Sequence, residues 1–77
     1  MEEIYAILKE VRPEYDFKSS DDYVEDGFLD SFDIITLVSM LEERYKIQID
    51  GLDIIPDNFC TADAIIRLLK KSGVNII

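Results

Sequence analysis

The chain has no histidine, one cysteine, few basic residues and no long apolar run, and each absence closes off a class of function. Without histidine, no imidazole can serve as the base that usually activates a serine hydroxyl. The lone cysteine, Cys60, cannot form an internal disulfide, which points to a reducing, cytoplasmic setting. Flanked by Phe59 and Thr61, it reads as a small core residue rather than a redox centre. No apolar stretch approaches the roughly 20 residues of a membrane span, and no signal peptide precedes the first predicted helix. A soluble protein is expected. Bases number 8 against 17 acids, a net charge of −9, which argues against nucleic acid as a partner.

The 77 residues, 48% of them hydrophobic, make one domain near the low end of what folds unaided. With no disulfide or metal set, the core must be apolar, and a helical bundle with short connections builds one most economically. Ile4, Ile7, Leu8 and Val11 recur at helical spacing, predicting a first helix over about 2–12 that Pro13 ends. The connection 13–29 is long, polar and acidic, but Tyr15, Phe17, Tyr23, Val24, Phe28 and Leu29 suit it to lie against the bundle.

A second helix is predicted over 31–45. Its residues Ile34, Leu37, Val38, Leu41 and Tyr45 share an arc of roughly 100°, enough for a core stripe. Phe32 and Ile35 fall off that arc, on the side of Thr36, Ser39 and Glu43. Phe32 either folds back onto the long connection or, with Ile35, contributes to a partner-docking surface. Residues 46–55 read as an extended loop burying Ile47, Ile49 and Leu52. A short third helix is expected over about 56–59, and a last helix over about 61–72 with Thr61 as N-cap. Ala64, Ile65, Leu68 and Leu69 form its core face, with Arg67, Lys70 and Lys71 toward its end and Gly73 as its stop. The apolar tail 74–77 packs back on the bundle or frays.

From Ser19 to Glu43 there is no basic residue against eight acids: Asp21, Asp22, Glu25, Asp26, Asp30, Asp33, Glu42 and Glu43. Such a surface can steer a partner that carries Lys or Arg. Inside it lies Gly27-Phe28-Leu29-Asp30-Ser31-Phe32-Asp33, which sets a serine after a turn, at the start of the second helix and between two acids. A hydroxyl there with no base to activate it is a target for modification rather than a nucleophile acting alone. A serine hydrolase is excluded, because the Gly-x-Ser-x-Gly elbow is absent along with histidine. An EF-hand-like calcium loop starting at Asp22 would place Val24 at position three and Asp33 at position twelve, so only a degenerate version is possible.

The segment resembles the Asp-Ser-Leu attachment site of acyl and peptidyl carrier proteins, with Phe32 in place of the usual leucine. The order of elements, together with Phe59-Cys60-Thr61-Ala62-Asp63-Ala64-Ile65, extends the resemblance over nearly the whole chain. It implies an all-α fold: a small four-helix carrier bundle with a long loop between helices 1 and 2 and a short third helix. It also implies a monomeric group carrier, not an enzyme. A 4′-phosphopantetheine arm would be attached to Ser31 by a phosphopantetheinyl transferase using coenzyme A. The arm's thiol would then hold an acyl or aminoacyl group as a thioester for loading and processing enzymes with basic docking patches. The phosphodiester would lie where helix N–H groups are unpaired and the dipole favours anions.

By the same resemblance Asp30 lies at the transferase contact, and Phe32, Ile35, Thr36, Ser39, Glu42 and Glu43 lie on the helix that partners engage. Asp30 and Asp33 would oppose the phosphate and are assigned to partner or metal recognition. Reversing Glu42 and Glu43 to lysine is expected to weaken partner binding without unfolding the domain. Neither cargo nor pathway is written in the sequence. The alternative reading is an acidic helical interaction module whose serine is never modified.

Overall fold

The computed structural model describes residues 2–75. Three α-helices form its frame: α1 (Glu2–Val11), α2 (Ser31–Tyr45) and α3 (Ala62–Lys71). α1 packs against both of the others. There is no strand among the described residues, and none of their helices is long and apolar enough to cross a membrane. The core joins Ile4, Ile7 and Leu8 of α1, Ile34, Leu37, Val38 and Leu41 of α2, and Ala62, Ile65, Leu68 and Leu69 of α3. In each helix these positions recur at three and four, so one stripe per helix is buried and the other faces are free to be polar.

The helix ends follow from local chemistry. α1 stops two residues before Pro13, its last turn closed by the Arg12 N–H on the Leu8 carbonyl at 3.0 Å. α2 ends where Lys46 takes the left-handed conformation at φ 55°. α3 begins at the Thr61 N-cap, whose hydroxyl accepts the Ala64 N–H at 3.0 Å. It ends in a Schellman motif: Gly73 at φ 109° donates to the Lys70 carbonyl, and Val74 donates to the Leu69 carbonyl at 2.9 Å. That motif turns half-buried Val74 back onto the core. Ile76 and Ile77 lie outside the described residues.

The expected four-helix bundle is corrected to three α-helices among the described residues. Where a short third helix was expected over 56–59, the chain makes a 3-10 turn, Pro56–Asn58. The reason is the neighbouring cap. Thr61 must be extended (φ −144°, ψ 162°) to receive the first N–H groups of α3, so a helix starting at Pro56 has no room to continue. Another 3-10 turn, Gly51–Asp53, overturns the expected burial of Leu52. Ile49 is buried and Ile47 half-buried, but Leu52 is 86% exposed. The Asp50 carboxylate accepts the Leu52 N–H at 2.9 Å, and the Lys71 ammonium holds Asp53 at 2.8 Å, which fixes a turn with Leu52 on its outer side.

The long connection lies against the bundle and is organised by aromatic rings. Phe17, in the 3-10 turn Phe17–Ser19, meets the Tyr23 ring edge-on at 5.0 Å, and Tyr15 stacks on Phe28 at 4.4 Å. Such pairs contribute roughly 0.5–1.5 kcal/mol each beyond their burial. The Tyr23 N–H donates to the Cys60 carbonyl at 2.7 Å, while the Tyr23 carbonyl accepts the N–H groups of Phe28 and Leu29. Burial of its phenol, helped by neighbouring Tyr5, pushes its pKa from 10.0 to about 12.

With Leu41 fully buried and Ile34 nearly so, truncating either to alanine leaves a cavity at the helix junction. Each substitution is expected to lower unfolding free energy by roughly 2–5 kcal/mol, read by denaturant melts at unchanged m-value.

Candidate functional site

The turn ahead of α2 is built by residues that each solve a backbone problem. Gly27 adopts φ 77°, a conformation that disfavours side chains, and its N–H closes onto the Val24 carbonyl at 3.1 Å. Leu29 is buried and anchors the segment. Asp30 is then the N-cap, in extended conformation, and Ser31 is the first helical residue, exposed to solvent.

Asp30 and Asp33 form a capping box around Ser31. The Asp33 N–H donates to Asp30 Oδ1 at 2.9 Å, and the Asp30 N–H donates to Asp33 Oδ2 at 3.2 Å. Reciprocal capping satisfies two N–H groups that no helical carbonyl can reach. The bond from the Asp33 N–H, with the Arg12 charge adding to it, holds the Asp30 carboxyl below its ordinary 3.8. Arg12, at the end of α1, sets its Nε 3.1 Å from Asp33 Oδ2. That nitrogen is buried and has no hydrogen-bond acceptor in line among the described residues, so the contact is an ion pair rather than a directed bond.

Beside Ser31, the carboxylates of Asp30 and Asp33 are engaged in capping. The possible calcium loop fares likewise. Asp22 Oδ1 accepts the N–H groups of Val24 and Glu25, and Asp26 Oδ2 accepts the Ser20 hydroxyl at 2.6 Å. Among the described residues no group of three or more acids or sulfur ligands is placed to hold a metal ion.

On α2, Phe32 is 81% and Ile35 60% exposed, so Phe32 does not fold back onto the connection. Thr36, Ser39 and Glu43 are exposed as well, with the Thr36 hydroxyl bonded to the Phe32 carbonyl at 3.1 Å. Ser31, Phe32, Ile35, Thr36, Ser39 and Glu43 thus share the solvent side of one helix. Glu42 is set apart. It is half-buried, and its Oε2 accepts the Ile49 N–H at 2.9 Å, tying the loop after α2 to the helix. A surface groove of about 620 Å³ lies elsewhere, between α1 and the turn at Phe17, lined by Tyr5, Lys9, Tyr15 and Lys18 among others. It includes none of the residues around Ser31 and is not the site.

Sequence reasoning missed the capping box, the Arg12 contact and the Glu42 tether. The first had a signal, two aspartates three apart at a predicted helix start. The other two join residues that only folding brings together. Chemically, the arrangement offers an exposed hydroxyl on a rigid helix start, beside exposed apolar side chains. No family model, no curated protein and no solved structure matches this chain.

Because the Asp30 carboxyl is held below 3.8, its capping contribution is complete above that value and is lost as pH falls through the lowered one. Thermal melts between about pH 6 and 3 should show the wild type losing stability more steeply than Asp30→Asn, a neutral cap. Equal slopes would show that the cap's charge is immaterial. Glu42→Lys should cost about 1 kcal/mol and speed exchange of the Ile49 amide, whereas Glu43→Lys should stay within about 0.5 kcal/mol of wild type.

Proposed function

We propose that this chain is a carrier domain, holding an acyl or aminoacyl group on a 4′-phosphopantetheine arm attached to Ser31. The observation that carries this reading is the exposed Ser31 at the first position of α2, inside Asp30-Ser31-Phe32 and beside exposed Phe32 and Ile35. A modifying enzyme needs an accessible hydroxyl on a preorganised backbone, and the capping box supplies the preorganisation. The start of α2 suits a phosphodiester: the helix dipole favours an anion there, and the two nearest carboxylates are directed onto backbone N–H groups.

The bound arm supplies a thiol that holds the cargo as a thioester; the protein's part is to orient and present it. A phosphopantetheinyl transferase is the first partner, with Asp30 at its contact. Loading and processing enzymes would engage the α2 face through Phe32, Ile35, Thr36, Ser39 and Glu43, with an apolar centre and basic surroundings to complement the acids. Glu42 belongs to that group only at its edge, since its carboxylate faces the loop. A second reading is an interaction module that uses the same face and carries no arm, favoured by the exposure of Phe32 and Ile35 irrespective of Ser31.

Intact mass after incubation with coenzyme A and a broad-specificity phosphopantetheinyl transferase separates the two. A gain of one phosphopantetheine that Ser31→Ala abolishes is expected for a carrier. No gain with several different transferases leaves the interaction module as the reading that stands.

A further inference from the structure

We infer that Arg12 is a positioning residue for Ser31, clamping the turn that presents its hydroxyl; the inference rests on the carrier reading above. From Ser19 to Glu43 the chain has no base of its own, so any positive charge at this turn must come from elsewhere in the fold. Arg12 arrives from the end of α1 and sets its Nε 3.1 Å from Asp33 Oδ2. That same oxygen accepts the Asp30 N–H at 3.2 Å, and Asp30 Oδ1 accepts the Asp33 N–H at 2.9 Å. Arg12 therefore holds the atom that closes the ring of bonds spanning Ser31.

Arg12 also reaches the approach to the turn. Its guanidinium carbon lies 5.6 Å from the centre of the Tyr15 ring, and Tyr15 is stacked within 6° of parallel on Phe28, two residues before Asp30. Arg12 thus meets the far end of the turn directly, at Asp33, and its near end through Tyr15 stacked on Phe28. The side chains of Arg12 and Asp33 are 32% and 15% exposed, so salt screens this pair less than an open surface pair. Its other ion pair, to Glu14 at 3.4 Å, stays within the connection and does not touch the turn.

Without Arg12, two carboxylates face each other across one capping box with no cation between them. Asp33 is then free to turn to water, the Asp30 N–H loses its acceptor, and Ser31 samples orientations away from attack. Attack forms the bond from Ser31 Oγ to the phosphorus that bears the pantetheine. It breaks the pyrophosphate bond of coenzyme A, releasing adenosine bisphosphate, while the hydroxyl proton passes to a base on the transferase. A misplaced nucleophile slows that step more than it weakens docking.

The test is a time course of intact mass, at varied protein concentration, for wild type, Arg12→Gln, Arg12→Lys, Asp33→Asn and the Arg12→Gln/Asp33→Asn double variant. Coenzyme A and a broad-specificity transferase are the reagents. Arg12→Gln should lower kcat by roughly three- to tenfold with KM within about twofold. Because the contact is an ion pair rather than an aligned hydrogen bond, Arg12→Lys should recover most of the rate. The double variant should be no slower than the slower single one, since both remove one interaction. Amide exchange on the unmodified protein adds a readout that needs no transferase. The Asp30 and Asp33 N–H groups should exchange faster in Arg12→Gln, with the Leu41 and Ile65 amides unchanged. Wild-type kcat in Arg12→Gln, a loss confined to KM, or no rescue by lysine would overturn the inference while leaving the carrier reading intact. A wild-type protein that takes no arm removes both.

Discussion

The backbone of Tyr23 joins the long connection to the starts of two helices, and the presentation of Ser31 depends on that joint. Its N–H donates to Cys60, just ahead of α3, and its carbonyl accepts from Phe28 and Leu29, just ahead of α2. Its buried ring packs edge-on against Phe17, which sinks the middle of the connection into the core. Backbone groups buried in this way are costly unless paired, so a connection of this length must either bond to the bundle or leave it. Here it bonds, and the separation between the two helix starts is thereby set by packing rather than by chain length.

The acidic stretch, seen as a surface, is less uniformly repulsive than its composition suggests. The carboxylates of Asp30 and Asp33 turn onto each other's N–H groups, and that of Glu42 turns onto the loop after α2. Each of these acids satisfies a backbone donor that no helix or strand partner can reach. Facing solvent along α2 are the apolar pair Phe32 and Ile35, with Ser31, Thr36 and Ser39 beside it and Glu43 and Arg44 further along. A centre of apolar side chains with charges at its margin suits recognition, because desolvation drives contact and charge sets its orientation.

The segment between α2 and α3 follows the same logic of local satisfaction. Asp50 caps one 3-10 turn, Asn58 bonds back to the Asp53 carbonyl at 2.7 Å, and Lys71 of α3 holds the Asp53 carboxylate. Short turns rather than a helix fill this stretch because Phe59 must be buried and Thr61 must be extended within three residues of each other. The outer faces of these turns carry Leu52 and Ile55, left exposed because the polar neighbours make the anchoring contacts.

The core stripes of α1, α2 and α3 were legible because helical periodicity is a property of consecutive residues: Ile4, Ile7 and Leu8, Leu37 and Leu41, Leu68 and Leu69 announce their face before any tertiary contact exists. Pro13, Thr61 and Gly73 marked ends for the same reason, since capping and φ restriction act within a few residues. That Phe32 and Ile35 lie off the core arc was equally local, but that Phe32 stays exposed instead of folding back onto the connection was decided by the tertiary structure. What required the tertiary structure was whatever joins distant parts of the chain. Arg12 meets Asp33 because α1 packs on α2, and Glu42 meets Ile49 because the chain doubles back after Lys46. The turn at Pro56 stops short because of a cap belonging to the next helix. Periodicity and capping are written in neighbouring residues, whereas ion pairs and loop tethers depend on distances that exist only once the helices have packed.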